Sequence, residues 1–102
     1  MLLFDSLQIP KNKLDFFVRS VEISSYIPGR IRLHSKALIG DENAGREVRR
    51  QLLRYQEISE VETNAATGSI LIHYTPQLLH TNAELTRAEE YIKTHVKSRA
   101  HQ

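Results

Sequence analysis

Ile58-Ser59-Glu60-Val61-Glu62-Thr63-Asn64, then Ala65-Ala66-Thr67-Gly68, then Ser69-Ile70-Leu71-Ile72-His73-Tyr74 is the stretch on which the fold turns. Its flanks are rich in β-branched and aromatic residues, and its middle is a run of turn formers with Gly near the end. That is the pattern of two strands joined by a hairpin. Pro76 lacks an amide hydrogen and stops the second strand. Working upstream, Gly40, Asp41 and Asn43 read as a loop ending in capping residues. The spacing then predicts a helix over about residues 43–57, with Ala44, Val48, Leu52 and Tyr55 on one apolar stripe. Arg46, Arg49, Arg50 and Arg54 line its other face. Before it, Val21 to Leu33 is extended but broken by Pro28-Gly29, which suits a bulge or bend within one bent strand or between two short ones. Downstream, Thr81 and Glu84 stand at capping-box spacing, and Leu85, Ala88, Ile92 and Val96 give a second helical stripe. The order is strand, helix, strand, strand, helix.

Composition narrows the chemistry. The 102 residues suit one domain, and the absence of cysteine excludes disulfides, thiolate zinc, Cu(I) dithiolate sites, iron–sulfur clusters and cysteine nucleophiles. A net charge of +2 is too small to imply nucleic acid or an anionic membrane by itself. The start, Met1-Leu2-Leu3-Phe4-Asp5, has neither the basic nor the apolar region of a signal peptide, and no apolar run approaches the ~20 residues of a spanning helix. The expectation is a cytoplasmic chain without membrane insertion. In the leader, Leu14, Phe16, Phe17 and Val18 fit a short helix or the start of a strand equally well. We expect a leader over residues 1–19, a domain over 20–97 and a flexible polar tail over 98–102.

The hairpin, with its Val61-Glu62-Thr63-Asn64 and Ala66-Thr67-Gly68-Ser69 run, resembles the second and third strands of a heavy-metal-associated domain. Pro28-Gly29-Arg30-Ile31-Arg32-Leu33 is similar to a cysteine-free branch of that family, found alone or at the front of metal-transporting P-type ATPases. The resemblance implies an α+β, ferredoxin-like βαββα sandwich, an antiparallel sheet with both helices on one face. It also implies a role in metal or metal-cofactor handling and a partner such as a P-type ATPase. Where that family carries Met-x-Cys-x-x-Cys, this chain has His34-Ser35-Lys36-Ala37-Leu38-Ile39-Gly40-Asp41, with no thiol. The family's fourth strand has little chain left to form it after Val96, so the leader is a candidate to extend the sheet, or the edge awaits a partner.

In that fold, period-two alternation puts Ile31 and Leu33 toward the helices and Arg30, Arg32 and His34 on the open face. In the hairpin Ile70, Ile72 and Tyr74 go inward, while Leu71 and His73 go outward. Were the register to bring His34 and His73 together, neutral imidazoles could bind a borderline divalent metal or a haem iron, with Arg30 or Arg32 on the propionates. The plainer reading is two solvated surface histidines, and a one-residue slip would defeat the pairing. His80, before a helix cap, His95, in a last turn, and His101, in the tail, are weaker candidates. The helix arginines, balanced by Glu42, Glu47 and Glu57, read first as a solvated face and second as a dock for an acidic partner. RNA is not expected, because the outward sheet positions Leu71, His73, Glu62 and Asn64 include no stacking ring. No phosphate loop, His-Glu-x-x-His or serine elbow points to an enzyme. The expected function is a non-enzymatic module acting through the open sheet face. The alternative is a ligand-free module for self-association or docking, and a homo-oligomer fits either.

Overall fold

A computed structural model describes Leu14 and residues 17–96. Strands β1 (Glu22–Ile27) and β2 (Arg30–His34) lead through a short 3-10 turn (Lys36–Leu38) to helix α1 (Glu42–Leu52). Strands β3 (Ile58–Asn64) and β4 (Ser69–Tyr74) follow, then a second 3-10 turn (Pro76–Thr81) and helix α2 (Ala83–His95). The four strands form one antiparallel sheet in the order β1-β2-β4-β3. This is the α+β, ferredoxin-like architecture expected from the sequence.

Of the two readings of this stretch, two short strands is the one found, and Pro28-Gly29 is a tight hairpin turn between them where a bulge or bend was expected, since Ile27 pairs with Arg30. Pro28 fixes the first turn position, and Gly29 takes the second at φ +92°, a conformation that costs other residues strain. The stretch is therefore two strands, and the bulge falls at Ser24, between Ile23 and Ser25. This hairpin answers the question of the sheet's edge. β1 takes the place beside β2, and no described residue of the leader adds a strand: Leu14 and 17–19 are helical. Leu14 and Val18, four apart on one helical face, both enter the core.

The core lies between the sheet and the helices. Leu33 and Ile70 are fully buried and Val61 is 1% exposed, on three different strands, so the centre of the sheet is its driest part. Leu52 from α1 and Leu85, Ala88 and Ile92 from α2 close over them, with Ala44, Val48 and Tyr55 packed at the margin. Helix α1 ends at Leu52 rather than near 57; Arg54 and Tyr55 donate backbone bonds to Gln51 and Leu52, three residues back, and tighten the chain into turns before Ile58 enters the sheet. Asp41 caps α1 through Ala44 N. The cap of α2 is Asn82, whose side chain accepts from the amides of Glu84 and Leu85. Thr81 donates instead to the Leu78 carbonyl, so the expected capping box does not form.

Gly45 marks where α1 presses closest on the sheet. A Cβ there would lie 2.9 Å from Thr63 Oγ1 on β3. Gly45→Ala, a change that ordinarily gains about 1 kcal/mol within a helix, should here cost about 1–2 kcal/mol through overpacking. In a Thr63→Ala background the same change should turn favourable. Chemical denaturation of the four chains measures this, and additive effects would show that the two sites do not touch.

Candidate functional site

The face of the sheet away from the helices is built in rows. On the central strands, Arg30 of β2 stands opposite His73 of β4, Arg32 opposite Leu71, and His34 opposite Ser69. Strand β3 continues each row with Glu60, Glu62 and Asn64 respectively. On the other side, β1 supplies Ile27 beside Arg30, Ser25 beside Arg32 and Glu22 beside His34. Their partners of opposite parity, Ile31, Leu33, Ile70, Ile72, Val61 and Ile23, are all buried, which fixes the register of the whole face. Read along the strands, β2 is basic, β3 carries two carboxylates and β4 lies between them.

The placement of Arg30, Arg32, His34, Leu71 and His73 on the open face follows the sequence pattern. His34 and His73 share that face but do not meet. One pairs with Ser69 and the other with Arg30, four positions apart on β2, so their Cα atoms lie about 14 Å apart at ordinary strand rise and spacing. Side chains stand roughly perpendicular to a sheet, and the two rings cannot both approach one ion to bonding distance. What each ring does meet is different. His34 Nδ1 lies 3.6 Å from Glu22 Oε1. His73 sits between Arg30 and Glu60, directly opposite both, where cross-strand Cβ atoms come within about 5 Å. Ser59 Oγ donates to the carbonyl of His73, fixing the strand edge beside it.

Glu60 escapes a simple reading by alternation, because Ile58 and Val61 are three residues apart and both buried. A bulge between Ile58 and Glu60 absorbs the extra residue and turns Glu60 outward. The spacing of three between two inward residues was the available signal.

The loop at which the resemblance places thiolate ligands is packed. Ser35 N donates to Gly68 O, Gly40 N donates to Ala65 O, and Leu38 is buried. Among the described residues, no cluster of three or more histidine or acidic side chains could hold a metal ion. His80 is exposed in the second 3-10 turn, and His95 stacks on Tyr91 with Nδ1 2.8 Å from the Tyr91 carbonyl oxygen. His101 lies outside the described residues. The arginines of α1 are largely engaged locally: Arg50 reaches both oxygens of Glu47, Arg46 donates to Asn43, and Arg49 Nε donates to the Val61 carbonyl.

The site is therefore one imidazole flanked by a guanidinium and a carboxylate, with a second guanidinium on the diagonal. Such a group can bind an anionic ligand and offer it a single nitrogen donor; it cannot enclose a bare cation. Among the described residues no helix is long and apolar enough to cross a membrane. No curated protein and no solved structure matches the chain. The sequence pattern of the family described as heavy metal associated domain 2 does match, over residues 11–92, which take in the described helical residues of the leader, the whole sheet and most of α2, and the chain belongs to that family.

Proposed function

We propose that this domain is a non-enzymatic accessory module for a metal carried inside an anionic cofactor, haem being the case that suits the face best. His73 is the nitrogen donor, Arg30 and Arg32 pair with the carboxylates, and His34 lines the far end of the same face without reaching the metal. The observation that carries this reading is the row that sets His73 opposite Arg30, with Arg32 one step along the same strand. A bare divalent ion needs several protein ligands converging on one point. A metal held in a macrocycle needs only one or two, and its propionates suit guanidinium groups. The family resemblance suggests delivery to or receipt from a protein such as a metal-transporting P-type ATPase.

Titration of the purified chain with haem, followed in the Soret region, should show saturable binding. His73→Ala should remove the shifted band. Replacing Arg30 and Arg32 together by Ala should weaken binding by about tenfold or more, as expected for loss of charged hydrogen bonds. His34→Ala should retain the spectrum and lose less affinity than the arginine pair. Zn²⁺, Cu²⁺, Ni²⁺ and Co²⁺ should bind weakly by comparison. No haem binding, or binding indifferent to His73, would remove this reading.

A further inference from the structure

The open face is self-complementary in charge. Arg30 and Arg32 lie on β2, Glu60 and Glu62 lie on β3, and β4 separates them, each arginine sharing a row with one glutamate. The two columns stand about 10 Å apart, two strand spacings, and the charges of one row do not pair with each other across β4. All four side chains are exposed, and among the described residues none takes an ion pair or a side-chain hydrogen bond. Between them β4 presents His73, Leu71 and Ser69, all only partly exposed.

We infer that a second copy of this chain docks on this face, related by a two-fold axis running along β4. Rotation about that axis keeps the position along the strand and exchanges the two flanks. It lays Arg30 of one copy over Glu60 of the other and Arg32 over Glu62, and does so twice by symmetry. Leu71 meets its own copy at the centre and supplies the dry contact. An axis across the strands would instead superpose like charges, so charge selects the first arrangement. The footprint of three short strands is small beside the roughly 800 Å² per partner of a standard stable interface. The dimer is consequently weak, salt-sensitive and formed at high concentration. The inference goes beyond the cofactor reading: it concerns the chain without ligand and is read from mass rather than absorbance.

Sedimentation equilibrium of the ligand-free full chain, at roughly millimolar protein and low salt, is the test. The native chain should self-associate, and raising salt should reverse this. Arg30→Glu with Arg32→Glu in one chain, and Glu60→Arg with Glu62→Arg in another, should each be monomeric, with thermal melts confirming that both fold. Mixing the two variants should restore a dimer of one copy of each, because every facing pair is then opposite in sign. A single chain carrying all four changes should again pair with itself. A native chain that stays monomeric under these conditions, or variants that do not recover on mixing, would overturn the inference.

Discussion

Gly68→Ala should lower the stability of this domain by about 3–5 kcal/mol, a large share of the 5–15 kcal/mol typical of small proteins. Two costs add at this position. Gly68 has φ +79°, and an L-residue in the left-handed region costs about 1–2 kcal/mol. A Cβ there would also run into the carbonyl oxygen of Ser35 and lie 3.0 Å from Ile39 Cγ1. The oxygen is backbone and is held in place: it accepts from Leu38 N, while Ser35 N donates to Gly68 O. Nor can the glycine retreat easily, because its own amide donates to Asn64 O at 2.7 Å. Relief of the clash must therefore move the hairpin tip away from the loop between β2 and α1, opening the end of the core near Leu38. Gly40→Ala separates the two costs. Gly40 has φ +78°, but nothing lies within 4 Å of where its Cβ would be, so only the strain of about 1–2 kcal/mol applies. Circular dichroism melts should show Gly68→Ala losing roughly 15 °C or more and Gly40→Ala well under that. Equal losses would mean that the contact with Ser35 is not rigid.

The same contact shows why some of the fold could be read in advance and some could not. The hairpin of β3 and β4 was legible because its alternation, its glycine and Pro76 all lie within one short window and point the same way. Neither bulge was expected where it falls, although each leaves a trace. Ile23 and Tyr26, like Ile58 and Val61, turn toward the helices at a spacing of three, which plain alternation forbids. Pro28-Gly29 suited a bulge or bend, within one bent strand or between two short ones. The choice was made by pairing, since reversing the chain there lets Ile23 lie beside Leu33 and Tyr26 beside Ile31.

For the site, parity came from sequence and register did not. Alternation is sufficient to send His34 and His73 to one face, whereas their separation depends on which residue of β4 faces which residue of β2. That was set by the fit of Leu33 against Ile70 and Ile31 against Ile72, contacts between segments some forty residues apart. The outcome changes the chemistry: two donors on one ion become a lone imidazole among charges, and the glutamates of β3 enter the face beside it.

The Tyr26, Tyr74 and Glu89 group should be the other large contributor to stability. Both hydroxyls donate to Glu89 Oε2, at 2.9 Å from Tyr26 and 2.7 Å from Tyr74, so one carboxylate oxygen of α2 ties down both β1 and β4. Tyr74 is 7% exposed and Tyr26 is partly buried, so neither is freely hydrated once the acceptor is gone. Leaving them unpaired should make Glu89→Ala cost about 2–4 kcal/mol, at 1–3 kcal/mol for each orphaned buried group. Glu89→Gln, which keeps an acceptor oxygen, should cost clearly less. The group also gives the protein an alkaline limit. Burial, and then the bond to Glu89, raise the pKa of both tyrosines above the ordinary value; Tyr55 is pushed up to about 12 by burial and by the nearby Glu84 carboxylate. A phenol with a raised folded pKa favours folding while it is protonated in both states. That contribution is present below about pH 10 and is lost as pH rises above it, where the unfolded chain ionises first. Tyrosinate absorbance should therefore lag behind that of free tyrosine in the folded protein, and the late fraction should appear together with loss of helical dichroism. In Glu89→Ala the hydrogen-bond part of the shift disappears while burial remains, so that step should move to lower pH. If all four tyrosines ionised near pH 10 while the fold stayed intact, the hydroxyls would be open to solvent, and the fastening of β1 and β4 to α2 through Glu89 would have to be given up.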